Sequence, residues 1–112
     1  MRTPKKLTYT KLEGLSEKQL AEHHDVLYAG YVKKIDEIEA KLATADLAGA
    51  NATSSDLRAL KIEETFALNG VKLHEGYFDN MKEGGSAPGG AIKSLIEKDF
   101  GSYEKWAEEF RA

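Results

Sequence analysis

Apolar positions in the first third of the chain recur in steps of three, four and seven. Leu20, Leu27, Tyr31, Ile35, Ile38 and Leu42 fall within about 80° of one another at 100° per residue, the mark of an amphipathic helix. Ser16 stands where an N-cap belongs and Gln19 three positions on completes a capping box. The pattern predicts one helix from there to about Leu42 or Thr44, some 40 Å long. The small polar stretch from Ala45 to Ser55 predicts a turn between antiparallel helices. A second helix then starts at Ser54 or Ser55 and runs from Asp56 to about Lys82. It carries two apolar stripes. Leu60, Ala67, Val71 and Phe78 form one, and Ile62, Phe66, Leu73 and Tyr77 lie roughly opposite. A helix apolar on two sides needs partners on two sides, and the first helix supplies only one.

The loop Glu83 to Gly90 contains four glycines and Pro88. A short helix is predicted after it, to about Lys98, burying Ile92, Leu95 and Ile96, with Asp99-Phe100-Gly101 as its stop. Ser102 caps a last helix bearing Tyr103, Trp106 and Phe110. No strand or repeat is evident. The expected class is all-α: a long antiparallel helical hairpin followed by two short helices.

Composition narrows the chemistry. At 112 residues, 41% hydrophobic and 31% charged, the chain reads as an ordinary globular composition of one domain at most. Sixteen basic against 19 acidic residues give a net charge of −3, which argues against a nucleic-acid or anionic-membrane surface. The absence of cysteine removes disulfides, thiolate metal sites and thiol catalysis. No apolar run approaches a membrane span, and the basic start leads into no signal-peptide core. A cytoplasmic location is the expectation.

The three histidines all fall on the long helices. His24 lies inside the first helix's stripe and His23 about 80° from its centre, while His74 sits at the edge of the main stripe of the second helix. Imidazoles facing inward from two antiparallel helices suit a metal in a bundle core. Spacing alone favours the plainer reading, two hydrogen-bonded interface histidines, since two ligands are too few for a tight site. His74-Glu75 begins like a zinc-protease motif but lacks the second histidine, and the glycine-rich loop lacks the lysine and the strand of a phosphate loop.

Two longer stretches are more specific. Leu15-Ser16-Glu17-Lys18-Gln19-Leu20-Ala21-Glu22-His23-His24, with Tyr31-Val32 beyond, resembles the first long helix of the iron/manganese superoxide dismutases. Gly85-Ser86-Ala87-Pro88-Gly89-Gly90-Ala91-Ile92, followed by Ile96 through Lys105 with its Asp-Phe-Gly-Ser run, resembles the opening of that family's C-terminal domain. The resemblance implies a helical-hairpin domain over residues 1–84 and the beginning of an α/β domain over 85–112. It places one metal ligand on each long helix, at His23 rather than His24 and at His74, and matches Tyr31 to the tyrosine at the mouth of the substrate channel. It implies iron or manganese as cofactor, superoxide as substrate and a homo-oligomer. Against the family pattern, Leu27 and Tyr28 stand where a histidine and its neighbour are usual, and Tyr77-Phe78 replaces a phenylalanine–tryptophan pair. The remaining ligands, an Asp-x-Trp-x-x-His motif, do not occur in these residues. The alternative function is a non-enzymatic helical module that self-associates, with an interchain histidine metal site.

Overall fold

The computed structural model describes residues 1–112. Its regular structure is entirely helical: α1 (Glu17–Ala21), a π-helical segment (Glu22–Tyr28), α2 (Ala29–Leu42), α3 (Asp56–Asp79), α4 (Gly90–Phe100) and α5 (Tyr103–Arg111). The first three form one continuous rod, and α3 packs back along it to make the expected hairpin. The only strand-like feature is an isolated antiparallel bridge between Leu12 and Leu15.

Local signals place the helix starts. The Ser16 hydroxyl accepts the Gln19 N–H at 3.1 Å, Ser55 accepts that of Arg58 at 3.2 Å, and Ser102 that of Lys105 at 3.1 Å. Each satisfies one of the free donors of a first helical turn. Gly101, with φ of +86°, ends α4 in a conformation that a side chain would strain. The second long helix stops at Asp79, three residues short of the expected end, and α4 runs two residues further than expected, to Phe100.

The π-helical segment changes which face is buried. The Ala29 N–H reaches the His24 carbonyl, five residues back, and the wider turn holds about one extra residue. The face toward α3 therefore passes through Leu20, His24, Tyr28 and Val32 before Ile35 and Ile38. Leu27, which the even 100° count puts inside the stripe, is 57% exposed. Tyr28 takes the buried place and Tyr31 is half-buried.

Two small clusters hold the hairpin. Tyr28, Val32 and Phe78 pack with Leu7, Val71 and Met81, while Ile35, Ile38 and Ala67 pack with Tyr31, Leu42, Leu60, Leu68 and Val71. The first predicted stripe of α3 is thus its hairpin face. The second, Ile62, Phe66, Leu73 and Tyr77, lies exposed. The helices α4 and α5 pack on each other and touch none of the hairpin helices, and Ile92 and Leu95, expected on a buried side, are exposed. The radius of gyration is 19.2 Å, against about 13 Å for a compact globule of this length. The molecule is a rod with an appended pair of helices.

An N-terminal arm binds across the rod. Arg2 donates to Glu39 through both guanidinium nitrogens, at 2.7 and 2.6 Å, and to Asp36 through its backbone N–H and side chain. The hydrogen bond from Arg2 holds the Glu39 carboxyl below its ordinary value. A carboxyl depressed in the folded state lends its tie in full above the unfolded value near 4.5, and loses it as pH falls through the folded value. Acidification below that point should therefore release the Arg2 end of the arm while the hairpin stays helical. A lower protection factor for the Arg2 amide, relative to its intrinsic exchange rate at that pH, with unchanged far-ultraviolet dichroism is the expected observation.

Candidate metal centre

The three histidines gather at one end of the hairpin, in unlike environments. His24 is buried and both its ring nitrogens face acceptors: Nε2 donates to the Lys5 carbonyl at 2.7 Å and Nδ1 lies 2.6 Å from Asp25 Oδ1. Both nitrogens are thus engaged within the chain. His23, one residue earlier, is half-buried and neither of its nitrogens has a hydrogen-bond partner in the chain. Burial pushes the His23 imidazole below its ordinary value, and the neighbouring His74 pushes it further the same way. Both causes favour the neutral ring, the form that can ligate a metal.

His74 comes from α3, where Gly70 one turn earlier accepts a hydrogen bond from its Nδ1 at 2.7 Å. A carbonyl only accepts, so the proton sits on Nδ1 and Nε2 carries the lone pair. A backbone carbonyl behind one ring nitrogen is the usual support of a metal-binding imidazole. The rings of His23 and His74 lie 4.9 Å apart, centroid to centroid, and nearly perpendicular. Tyr31 reaches the same place from α2, its ring 5.3 Å from that of His74. Tyr77 and Phe78 flank His23 at 5.0 and 5.1 Å. The three residues singled out from the sequence, His23, Tyr31 and His74, are thus side by side. No group of three or more His, Cys, Asp or Glu side chains that could hold a metal converges in the chain. The donor set fits iron or manganese in kind, as imidazole nitrogens, and covers only part of a first coordination sphere.

Gly70 has a second use. A Cβ there would lie 2.7 Å from Cδ1 and 2.8 Å from Cε1 of Tyr31, so the bare backbone is what admits the phenol ring beside His74. Gly70→Ala gains about 1 kcal/mol of helix propensity and meets an overpacking cost of about 1–3 kcal/mol. Half-buried Tyr31 can swing outward, so stability should change little while the ring leaves His74. Loss of the Tyr31–His74 nuclear Overhauser contacts, with the melting temperature nearly kept, is the expected result.

Behind the histidines is a polar trio that the sequence did not announce. Tyr28 is 1% exposed; its hydroxyl donates to Glu75 Oε1 at 2.9 Å and accepts the Lys5 N–H at 3.0 Å. Lys5 Nζ lies 2.6 Å from Glu75 Oε2. The bond from Lys5 keeps the Glu75 carboxyl below its usual range, and burial pushes the Tyr28 phenol above its own. The one available signal was Tyr28 beside a position usually histidine, with Glu75 immediately after a candidate ligand.

No protein-family model matches the chain. Individual relatives do. A superoxide dismutase (Fe) from Cupriavidus metallidurans is 48% identical over 102 residues, 91% of this chain and 50% of the relative. One from Aquifex aeolicus is 44% identical over 105 residues, 90% of this chain and 49% of the relative. A superoxide dismutase (Mn) from Haloferax volcanii is 40% identical over 99 residues, covering 88% and 48%. Over about nine-tenths of its length the chain is similar to iron and manganese superoxide dismutases. It spans about half the length of the curated relatives it matches. The likeness agrees with the helical hairpin.

Proposed function

We propose that this chain is the N-terminal part of a superoxide dismutase of the iron/manganese type, with His23 and His74 as two ligands of one iron or manganese ion and superoxide as the substrate. Residues 1–84 are the hairpin domain of that enzyme and 85–112 the opening of its second domain. The observation that carries this reading is the pair of imidazoles from two helices, 4.9 Å apart, with Nδ1 of His74 committed to Gly70. Bound there, the ion would take an electron from one superoxide and give it to the next. The chain's own residues do the rest. His23, kept neutral by burial, and His74, oriented by its carbonyl partner, hold two adjacent positions. Tyr31 brings a phenolic O–H, both donor and acceptor, to the channel mouth beside them. Tyr77 and Phe78 limit the access of water from the far side of His23.

The test is a chimera: residues 1–112 joined in frame to the C-terminal half of the Cupriavidus metallidurans relative. Bound iron or manganese and dismutation of superoxide are expected; a folded chimera with neither removes the reading. The exposed stripe of Ile62, Phe66, Leu73 and Tyr77 supports a second reading, a self-associating helical module. Light scattering tests it, and a chain that stays monomeric at high concentration removes it. No helix is long and apolar enough to cross a membrane, and a cytoplasmic site of action remains part of the proposal.

A further inference from the structure

Lys5 of the arm bonds to both long helices. Its N–H goes to Tyr28, its carbonyl takes the His24 Nε2–H, and its ammonium pairs with Glu75. Tyr28 and Glu75 are themselves bonded across the hairpin. Four polar groups from the arm, the π-helical segment and α3 therefore close one network beneath the histidine pair. Glu75 is the residue after His74, so whatever fixes Glu75 also fixes the rotation of α3 about its axis at His74. That rotation matters because a side-chain tip about 5–6 Å from a helix axis moves about 1 Å for every 10°. Metal–ligand distances tolerate only about 0.2 Å. Apolar contact resists rotation weakly, since hydrophobic burial is non-directional; a hydrogen bond from a buried phenol does not slide. The Tyr28 ring also lies 6.2 Å from that of His74, with its plane within 23° of the imidazole.

We propose that Tyr28 is a positioning residue, locked by Lys5 and Glu75, that sets the rotational phase of α3 and so holds His74 against His23. The inference rests on His74 being a ligand for its functional meaning, and on geometry alone for its structural content. It does not require Tyr28 to touch metal or substrate.

The experiment uses the 112-residue protein without metal, followed by the ring proton signals of His74, and then with Mn2+ alone as the probe. Tyr28→Phe keeps the ring and its packing and removes both hydrogen bonds; Glu75→Leu removes the acceptor. Both should shift and broaden the His74 ring signals, weaken the His23–His74 Overhauser contacts and lower Mn2+ affinity about 10-fold, the scale of losing an outer-sphere support. Glu75→Gln, which still offers an oxygen to the Tyr28 hydroxyl, should keep the wild-type signals, as should Arg2→Met, which loosens the arm at its other anchor. Circular dichroism confirms that each variant keeps its helices. Wild-type His74 signals in folded Tyr28→Phe overturn the proposal, as does a Glu75→Gln protein perturbed as much as Glu75→Leu. A different failure marks the ligand reading: if His74→Ala binds Mn2+ as well as wild type, that reading falls while the ring signals still decide the lock.

Discussion

Replacing His74 with alanine in the chimera with the Cupriavidus metallidurans C-terminal half is expected to lower its content of tightly held iron or manganese more than 100-fold and dismutase activity with it. The magnitude follows from comparison with gentler losses. Removing a group that only orients a ligand costs metal affinity about 10–100-fold, and His74→Ala removes the nitrogen itself. The variant should fold. His74 is half-buried at the rim of the hairpin, and its one hydrogen bond is to a carbonyl within its own helix. Metal analysis after gel filtration checks the result. His24→Ala gives the contrast: its nitrogens serve Lys5 and Asp25, so stability should fall and the metal content of the surviving folded fraction should persist. Full metal occupancy in a folded His74→Ala chimera would falsify the ligand assignment.

The second large effect concerns the hairpin itself. Only eight of 112 residues are buried, and Ile35 is among the most completely enclosed, at 0% exposure in the cluster with Ile38 and Ala67. Ile35→Ala removes three carbon atoms from that cluster at a cost of about 2–5 kcal/mol. Domains of this size have about 5–15 kcal/mol to lose, and a rod that buries so few side chains sits at the low end. The variant should therefore be largely unfolded at 37 °C, or melt well below wild type, as read by dichroism at 222 nm. Leu27→Ala, at a position inside the sequence-derived stripe but exposed in the structure, should shift the melting temperature very little. The two substitutions together distinguish the true buried face from the one an uninterrupted helix would have.

That contrast also marks where the sequence was legible. Helix starts were, because Ser16, Ser55 and Ser102 each act through a bond to a backbone N–H three residues away. The two-sided character of α3 was legible too, since its spacing is uninterrupted. His23, Tyr31 and His74 could be singled out, but the preference for His23 over His24 came through family resemblance, and the helical count pointed the other way. The count placed His24 on the buried face, where it lies, and failed at Leu27: it assumes 100° throughout, and the wider turn from Glu22 to Tyr28 breaks that assumption without any glycine or proline to flag it. The Lys5–Tyr28–Glu75 trio was illegible for another reason. It joins residues 23 and 47 positions apart, and no periodicity reports a contact between separate segments.

The π-helical segment has a further consequence for how the chain tolerates changes in length. A wide turn is the fold's record of one residue accommodated inside a helix whose two ends are already fixed by packing. Removing one residue between His24 and Tyr28 would let the segment relax to an ordinary α-turn while the two flanks keep their phase. Leu20 and Ile35, then fourteen positions apart in a regular helix, would lie about 40° from one another and still face α3 together. Substitutions within Asp25-Val26-Leu27, all exposed, should be absorbed. Here the wide turn makes the helix tolerant of a one-residue deletion as well as of changes in residue identity.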